Sequence, residues 1–178
     1  METTRTNSMR RDERSFRKGE YGELLIQAML EKNGYVVYRT NSNGSHGFDM
    51  TVYKNGRYVF AVEVKTKRKC NKYPETGFEE YLFQRYERLS KELNLPVFIA
   101  FVDEGNDEVK GAIYGNWLTE LNKPIHYQRW DYPKVRGHTG GQRLTRYFPM
   151  CHMRHLRYLT CGELAILKTI GKSNRRLH

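Results

Sequence analysis

The run Tyr58-Val59-Phe60-Ala61-Val62-Glu63-Val64 is apolar at odd and even positions alike until Glu63. Side chains of a strand alternate between its two faces, so a run apolar at both parities has to be covered on both sides. Such a strand belongs in the middle of a sheet held between two layers, which selects an α/β arrangement. Glu63 lies inside that run, where a lone carboxylate is costly unless it meets a donor, a cation or a metal. Upstream, Phe48-Asp49-Met50-Thr51-Val52-Tyr53 has the same strand character with one acid at its start. Asn55-Gly56 between the two segments is a hairpin signal.

Two residues apart on a strand, Glu63 and Lys65 face the same way, with the carbonyl of Val64 between them. Phosphodiester hydrolysis brings an anionic nucleophile onto an anionic phosphorus, so charge must be cancelled on both. A Mg²⁺ held by carboxylates does this, with Mn²⁺ an expected substitute, and a lysine adds a cation without taking a metal position. An E-x-K triplet also decorates ordinary solvent faces; here the apolar setting and the second acid give it meaning.

Register decides whether Asp49 joins Glu63. A two-residue Asn55-Gly56 loop pairs Lys54 with Arg57, sets Asp49 opposite Val62 and scatters the site. A three-residue loop through Arg57, or an equivalent bulge, pairs Met50 with Val62, Val52 with Phe60 and Asp49 with Glu63. The longer loop, with Gly56 left-handed, or an equivalent bulge is the expectation.

In order along the chain stand Arg17-Lys18-Gly19-Glu20-Tyr21-Gly22-Glu23-Leu24-Leu25, Gly34-Tyr35-Val36-Val37-Tyr38-Arg39, Gly44-Ser45-His46-Gly47-Phe48-Asp49 and Val62-Glu63-Val64-Lys65. This series resembles the PD-(D/E)XK nucleases, most closely the archaeal-type Holliday junction resolvases, over roughly residues 15 to 102. The resemblance implies a restriction-endonuclease-like α-β-β-β-α-β core, a mixed central sheet flanked by helices. It implies Asp49, Glu63 and the Val64 carbonyl as metal ligands, Glu23 as a further acid acting directly or through water, and Lys65 as the catalytic lysine. Arg39, Ser45 and Gln84 follow as auxiliary positions, with Glu20 a surface acid or an auxiliary one. His46 is a loop residue beside Asp49. Phe48 stands where the family has proline, and about 70 residues follow the core.

The implied activity is Mg²⁺-dependent endonucleolytic cleavage of DNA, with branched DNA the most specific substrate and a homodimer the working form, because two matched nicks need two sites. The alternatives are a restriction- or repair-type nuclease on duplex or single strands, and a non-catalytic nucleic-acid-binding protein on a nuclease fold.

Composition predicts a flexible basic arm over 1–11, the resemblance implies a nuclease core over 12–115, and a basic α+β extension over 116–178 packed on the core is expected to follow. Within these lie a helix over 13–32, strands over 35–39, 48–54 and 57–66, and a lysine-rich loop over 68–77. A helix over 78–94, a strand over 96–102 and an edge strand over 110–116 follow. A short helix at 117–121, a strand over 143–148 and a helix opening on the capping-box spacing Thr160 to Glu163 complete the reading.

The net charge is +11, unevenly placed: 12 basic against 14 acidic side chains over 20–108, but 13 against 3 over 109–178. Such a tail draws phosphate towards an acidic site that repels it. The DNA-contact candidates are Arg39, Lys67, Arg68, Lys69, Lys72, Arg129, Lys134, Arg136, Arg143 and Arg146. Tyr127, Trp130, Tyr132 and Tyr147 are either base-stacking residues or small-domain core. Zinc at Cys151, His152, His155 and Cys161 fits no paired-ligand template, and packing by Met153, Leu156 and Leu159 is the expectation. No apolar run of about 18 residues and no secretory segment occurs, so a soluble cytoplasmic protein with reduced thiols is expected.

Overall fold

A computed structural model describes residues 3–40, 47–67, 74–106, 109–123, 129–131 and 144–171, with the backbone alone at 3–12, 129–131 and 171. The doubly apolar run is the middle of the molecule. It forms β3 (Arg57–Thr66) in a six-stranded sheet of order β1-β2-β3-β5-β6-β9, in which β3 and β5 are parallel and all other neighbours antiparallel. The other members are β1 (Val36–Arg39), β2 (Met50–Lys54), β5 (Val97–Asp103), β6 (Ala112–Trp117) and β9 (Arg154–Tyr158). A second sheet, of order β4-β8-β7, joins Glu75–Glu79, Thr145–Pro149 and Arg129–Asp131.

Each parity of β3 has its own core. Phe60, Val62 and Val64 pack with Val37, Met50 and Val52 against Leu25 and Ile26 of α1 (Thr3–Lys32) and Leu167 of α4 (Cys161–Gly171). On the other face, Ala61, Ile99 and Phe101 meet Phe83 and Tyr86 of α2 (Glu80–Glu92), Leu118 and Leu121 of α3 (Leu118–Leu121), Phe78 of β4 and Phe148 of β8. The result is a mixed α/β fold with a central mixed sheet flanked by helices. Within the main sheet the α-β-β-β-α-β order holds, with β4 inserted between β3 and α2.

The hairpin lacks the three-residue loop, takes the equivalent bulge instead and keeps the expected register. Asn55 and Gly56 both have positive φ, 52° and 74°, so the turn has two residues and Lys54 pairs with Arg57. A bulge beyond Tyr53–Tyr58 then absorbs one residue, and Val52 faces Phe60 and Met50 faces Val62. Asn-Gly suits the tight turn, while burying two apolar rows demands the shift; one unpaired residue satisfies both.

Four expectations are corrected. The first helix begins at Thr3 where a flexible arm was expected over 1–11; no Gly or Pro precedes Gly19, so nothing interrupts it. The loop expected over 68–77 gives way to β4 at Glu75, because Phe78 inserts among Phe83, Phe101 and Phe148. The strand after Asp103 is not an edge, since β9 pairs with β6 on its outer side. That pairing also interleaves the 116–178 segment with the core, because 115/116 falls inside β6 and β9 completes the same sheet. Thr160 and Glu163 form the reciprocal cap expected of them: the Glu163 N–H donates to Thr160 Oγ1 at 3.2 Å and the Thr160 N–H to Glu163 Oε2 at 2.8 Å. No helix among the described residues is long and apolar enough to cross a membrane.

Candidate active site

The site lies where β2 and β3 part. Ala61 N–H bonds Pro96 and Lys67 N–H bonds Val102, so odd-numbered peptide groups of β3 turn towards β5 and even-numbered ones towards β2. Beyond Met50↔Val62 the β2–β3 ladder ends, and the Val64 N–H donates instead to Asp49 Oδ2 at 2.7 Å. The carbonyl of Val64 shares that edge. Asp49 thus replaces a rung of the sheet with its own carboxylate.

Glu63 is buried, at 5% exposure, and its Oε1 receives two donors. Lys65 Nζ lies 2.5 Å away, and the Tyr86 hydroxyl donates to the same oxygen. Lys65 Nζ is also 3.3 Å from Tyr86 Oη and packs over the rings of Phe78 and Tyr86. Burial and the charge of Glu63 push the Tyr86 phenol well above its ordinary value, so it stays a donor.

Burial first, and then the charge of Glu63, pushes the Asp49 carboxyl up to about 7; the Val64 N–H pulls it down, Glu23 adds to the rise and Lys65 opposes it. Asp49, Glu63, Glu23 and Lys65 therefore form one electrostatic unit with too little positive charge. Gly22 is what lets α1 approach this end of β3. A Cβ there would stand 1.8 Å from Thr66 Oγ1. Glu23, the next residue, pairs with Arg39 at 2.7 Å.

The donor set fits a hard divalent cation. Asp49 Oδ1 and Glu63 Oε2 have no hydrogen-bond partner among the described residues, and a cation beside them would relieve the repulsion that raises Asp49. Among the described residues no three His, Cys, Asp or Glu side chains gather as a ready-made metal group. Two carboxylates, a carbonyl, waters and a substrate phosphate make up the usual complement of Mg²⁺.

Other expected positions fall outside the cluster. Gln84 is exposed and bonds Glu80 at 3.1 Å, because Phe83 and Tyr86 occupy the inward face of α2. Glu20 is exposed on α1. Tyr86 is the residue that sequence reasoning missed, although its spacing of three from Phe83 marked the buried face. Lys67 is half-buried, and burial lowers its ammonium, with Glu79 opposing and Lys65 adding to the fall. Ser45, His46, Arg68, Lys69, Lys72, Tyr127, Tyr132, Lys134, Arg136 and Arg143 lie outside the described residues, as do the side chains of Arg129 and Trp130.

Arg146 is corrected from a DNA contact to a structural residue. It is buried, at 8% exposure, grips Glu80 with Nε and Nη2 at 2.5 Å each, reaches Asn122 Oδ1 at 3.0 Å and lies 3.8 Å above the Phe83 ring. Arg146→Ala is expected to cost about 3 kcal/mol in urea unfolding by taking the paired cation away from Glu80, with DNA affinity unchanged while the protein is folded. Met153 packs in one core and Leu156 and Leu159 in the other, the His155 ring contacts Tyr114 and Tyr158, and Cys151 and Cys161 are free.

No family model matches the chain, and no curated protein matches it. Among solved structures it is similar to Hjc, a Holliday junction resolvase from the archaeal hyperthermophile Archaeoglobus fulgidus, at 12% identity and a TM-score of 0.45. That alignment covers 86% of this chain and 100% of the other.

Proposed function

We propose that this chain is a Mg²⁺-dependent DNA endonuclease that hydrolyses phosphodiester bonds, with branched DNA such as a four-way junction its preferred substrate and a homodimer its working form. One observation carries the reading: Asp49 and Glu63 each keep an oxygen with no hydrogen-bond partner among the described residues where β2 and β3 part, with Lys65 held against Glu63. In that arrangement Asp49, Glu63 and the Val64 carbonyl would hold the metal, with Glu23 contributing from α1. A bound Mg²⁺ supplies a water-derived nucleophile near neutral pH and offsets charge on the phosphate.

The protein's own groups do the rest. Val64 N–H fixes the Asp49 carboxylate, and the Tyr86 hydroxyl fixes that of Glu63. Lys65 places a cation where charge builds on the scissile phosphate. The basic excess of residues 109–178 draws DNA to an acidic centre.

The test is cleavage of a four-way junction, a matched linear duplex, a single strand and RNA, each with Mg²⁺ or EDTA. The expected result is Mg²⁺-dependent cutting with the junction preferred. Preference for linear duplex overturns the branched-substrate assignment, and absence of Mg²⁺-dependent cutting of every DNA overturns the nuclease itself. Tyr86→Phe is expected to lower cleavage about ten-fold at limiting Mg²⁺, with recovery at high Mg²⁺ and little change in KM for DNA.

A further inference from the structure

We propose that Lys67 binds the phosphate next to the scissile one, as a second cation beside Lys65 on the sheet face that carries the candidate active site. Strand geometry puts it there. The Lys67 N–H donates to the Val102 carbonyl at 3.0 Å, so the ladder between β3 and β5 runs on past Thr66↔Val102 and Lys67 keeps the parity of Glu63 and Lys65. Thr66, between the two lysines, turns instead to Gly22 of α1. The surroundings of the ammonium agree: burial above all lowers it, Glu79 of β4 opposes that fall and Lys65 adds to it. Both neighbours lie in the layer of β4 and α2, where Lys65 packs over the rings of Phe78 and Tyr86.

Lys67 lacks a partner. It is half-buried, yet among the described residues its ammonium makes no hydrogen bond and no ion pair. Glu79 acts on it only from beyond contact. Asp103, which follows Val102 on β5, accepts the Gly105 N–H at 3.0 Å through Oδ1, and its buried Oδ2 has no partner at all. Lys65, by contrast, has Glu63 at 2.5 Å. A cation drawn part-way out of water with no counter-charge in contact weakens a fold, and groups held at such a cost are those a ligand completes.

Spacing selects the ligand. Two residues of strand advance roughly 7 Å, close to the separation of successive phosphates along one nucleic-acid strand. With Lys65 at the scissile phosphate, Lys67 meets the neighbouring one. A free phosphate or a lone carboxylate would engage one ammonium, whereas a regularly spaced polyanion engages both. Lysine suits the task, because its compact charge needs no fixed plane of approach.

This proposal rests on the reading that the site acts on DNA, and its test separates the two. The full chain in EDTA is titrated with a blunt duplex over a series of salt concentrations. Wild type is compared with Lys67→Met, Lys67→Arg and, as a charge control, Lys32→Met at the exposed far end of α1. Lys67→Met is expected to bind several-fold more weakly at low salt, with a slope of log affinity against log salt shallower by about 0.9. Lys67→Arg should keep the wild-type slope, and Lys32→Met should leave it unchanged. Because Lys67→Met removes a half-buried charge that has no partner, its midpoint in urea should be no lower than that of the wild type. An unchanged slope for Lys67→Met, or an equal fall for Lys32→Met, overturns the phosphate contact. A lower urea midpoint for Lys67→Met overturns it too, by making Lys67 a structural cation for Glu79 or Asp103. Duplex binding by the wild type without Mg²⁺-dependent cleavage overturns the nuclease reading, while the slopes still decide the contact; no DNA binding by the wild type overturns both.

Discussion

Glu63→Ala, Asp49→Ala and Lys65→Ala are each expected to lower Mg²⁺-dependent cleavage by at least about 10²–10³-fold, the range seen when a charge-stabilising group is removed from an active site. DNA binding should persist, and removing either carboxylate should tighten it by relieving repulsion of phosphate. Because Glu63 is buried beneath the Tyr86 hydroxyl, Glu63→Gln is the less disruptive companion, keeping an acceptor there while removing the charge. Thermal unfolding of each variant separates chemistry from folding. Wild-type cleavage by Glu63→Ala would end the assignment of this site. Unfolding of all the variants, Glu63→Gln included, would make the cluster a structural ion pair.

Asp49→Asn is expected to stabilise the metal-free protein at pH 8. With a carboxyl pKa of about 7 against the ordinary 3.8, the folded chain keeps, between about pH 4 and 7, a proton that the unfolded chain has released, and at pH 8 it holds the carboxylate ionised at a cost. Stability from Asp49 is therefore greatest below about pH 4, falls as pH rises towards 7, and is wholly lost above it, where ionised Asp49 faces Glu63. Each tenfold change in proton affinity between the folded and unfolded chain is worth about 1.4 kcal/mol, so about 4 kcal/mol is the ceiling, and solvent reaching the carboxyl reduces the expected gain to about 2 kcal/mol. Asparagine keeps an acceptor for the Val64 N–H. Urea unfolding in EDTA should show a higher midpoint for Asp49→Asn at pH 8 and little difference near pH 4; lower stability of the variant at pH 8 would contradict the cost of burying an ionised Asp49 beside Glu63. A gain in stability with a loss of cleavage is the trade expected of a group kept for chemistry.

The parts readable in the sequence were those encoded by short-range pattern. The parity of β3, the interior pairs Met50–Val62 and Val52–Phe60, and the cap at Thr160 all follow from spacing among near neighbours. The three-residue loop was not found, and the equivalent bulge was, because burial dictates the register and not the loop length. Asn55-Gly56 keeps its own preference, and the bulge reconciles the two. β4 and the role of Arg146 were not legible, because both depend on a strand about 70 residues away and on Glu80, 66 positions from its partner. Tyr86 was legible in position but not in role: the helix period turns it inward, yet only the fold shows that its hydroxyl ends on Glu63.

The rung that Asp49 lends to β3 makes one amide hydrogen a gauge of the whole centre. The Val64 N–H is tied to a carboxylate rather than to a neighbouring strand, so its protection from solvent exchange follows the charge and occupancy of that carboxylate. Protonating Asp49 weakens the acceptor, while a cation on the other oxygen holds the group in place and slows its opening. Exchange at this single site, followed by NMR as Mg²⁺ is added, reads the state of the centre without DNA and without turnover.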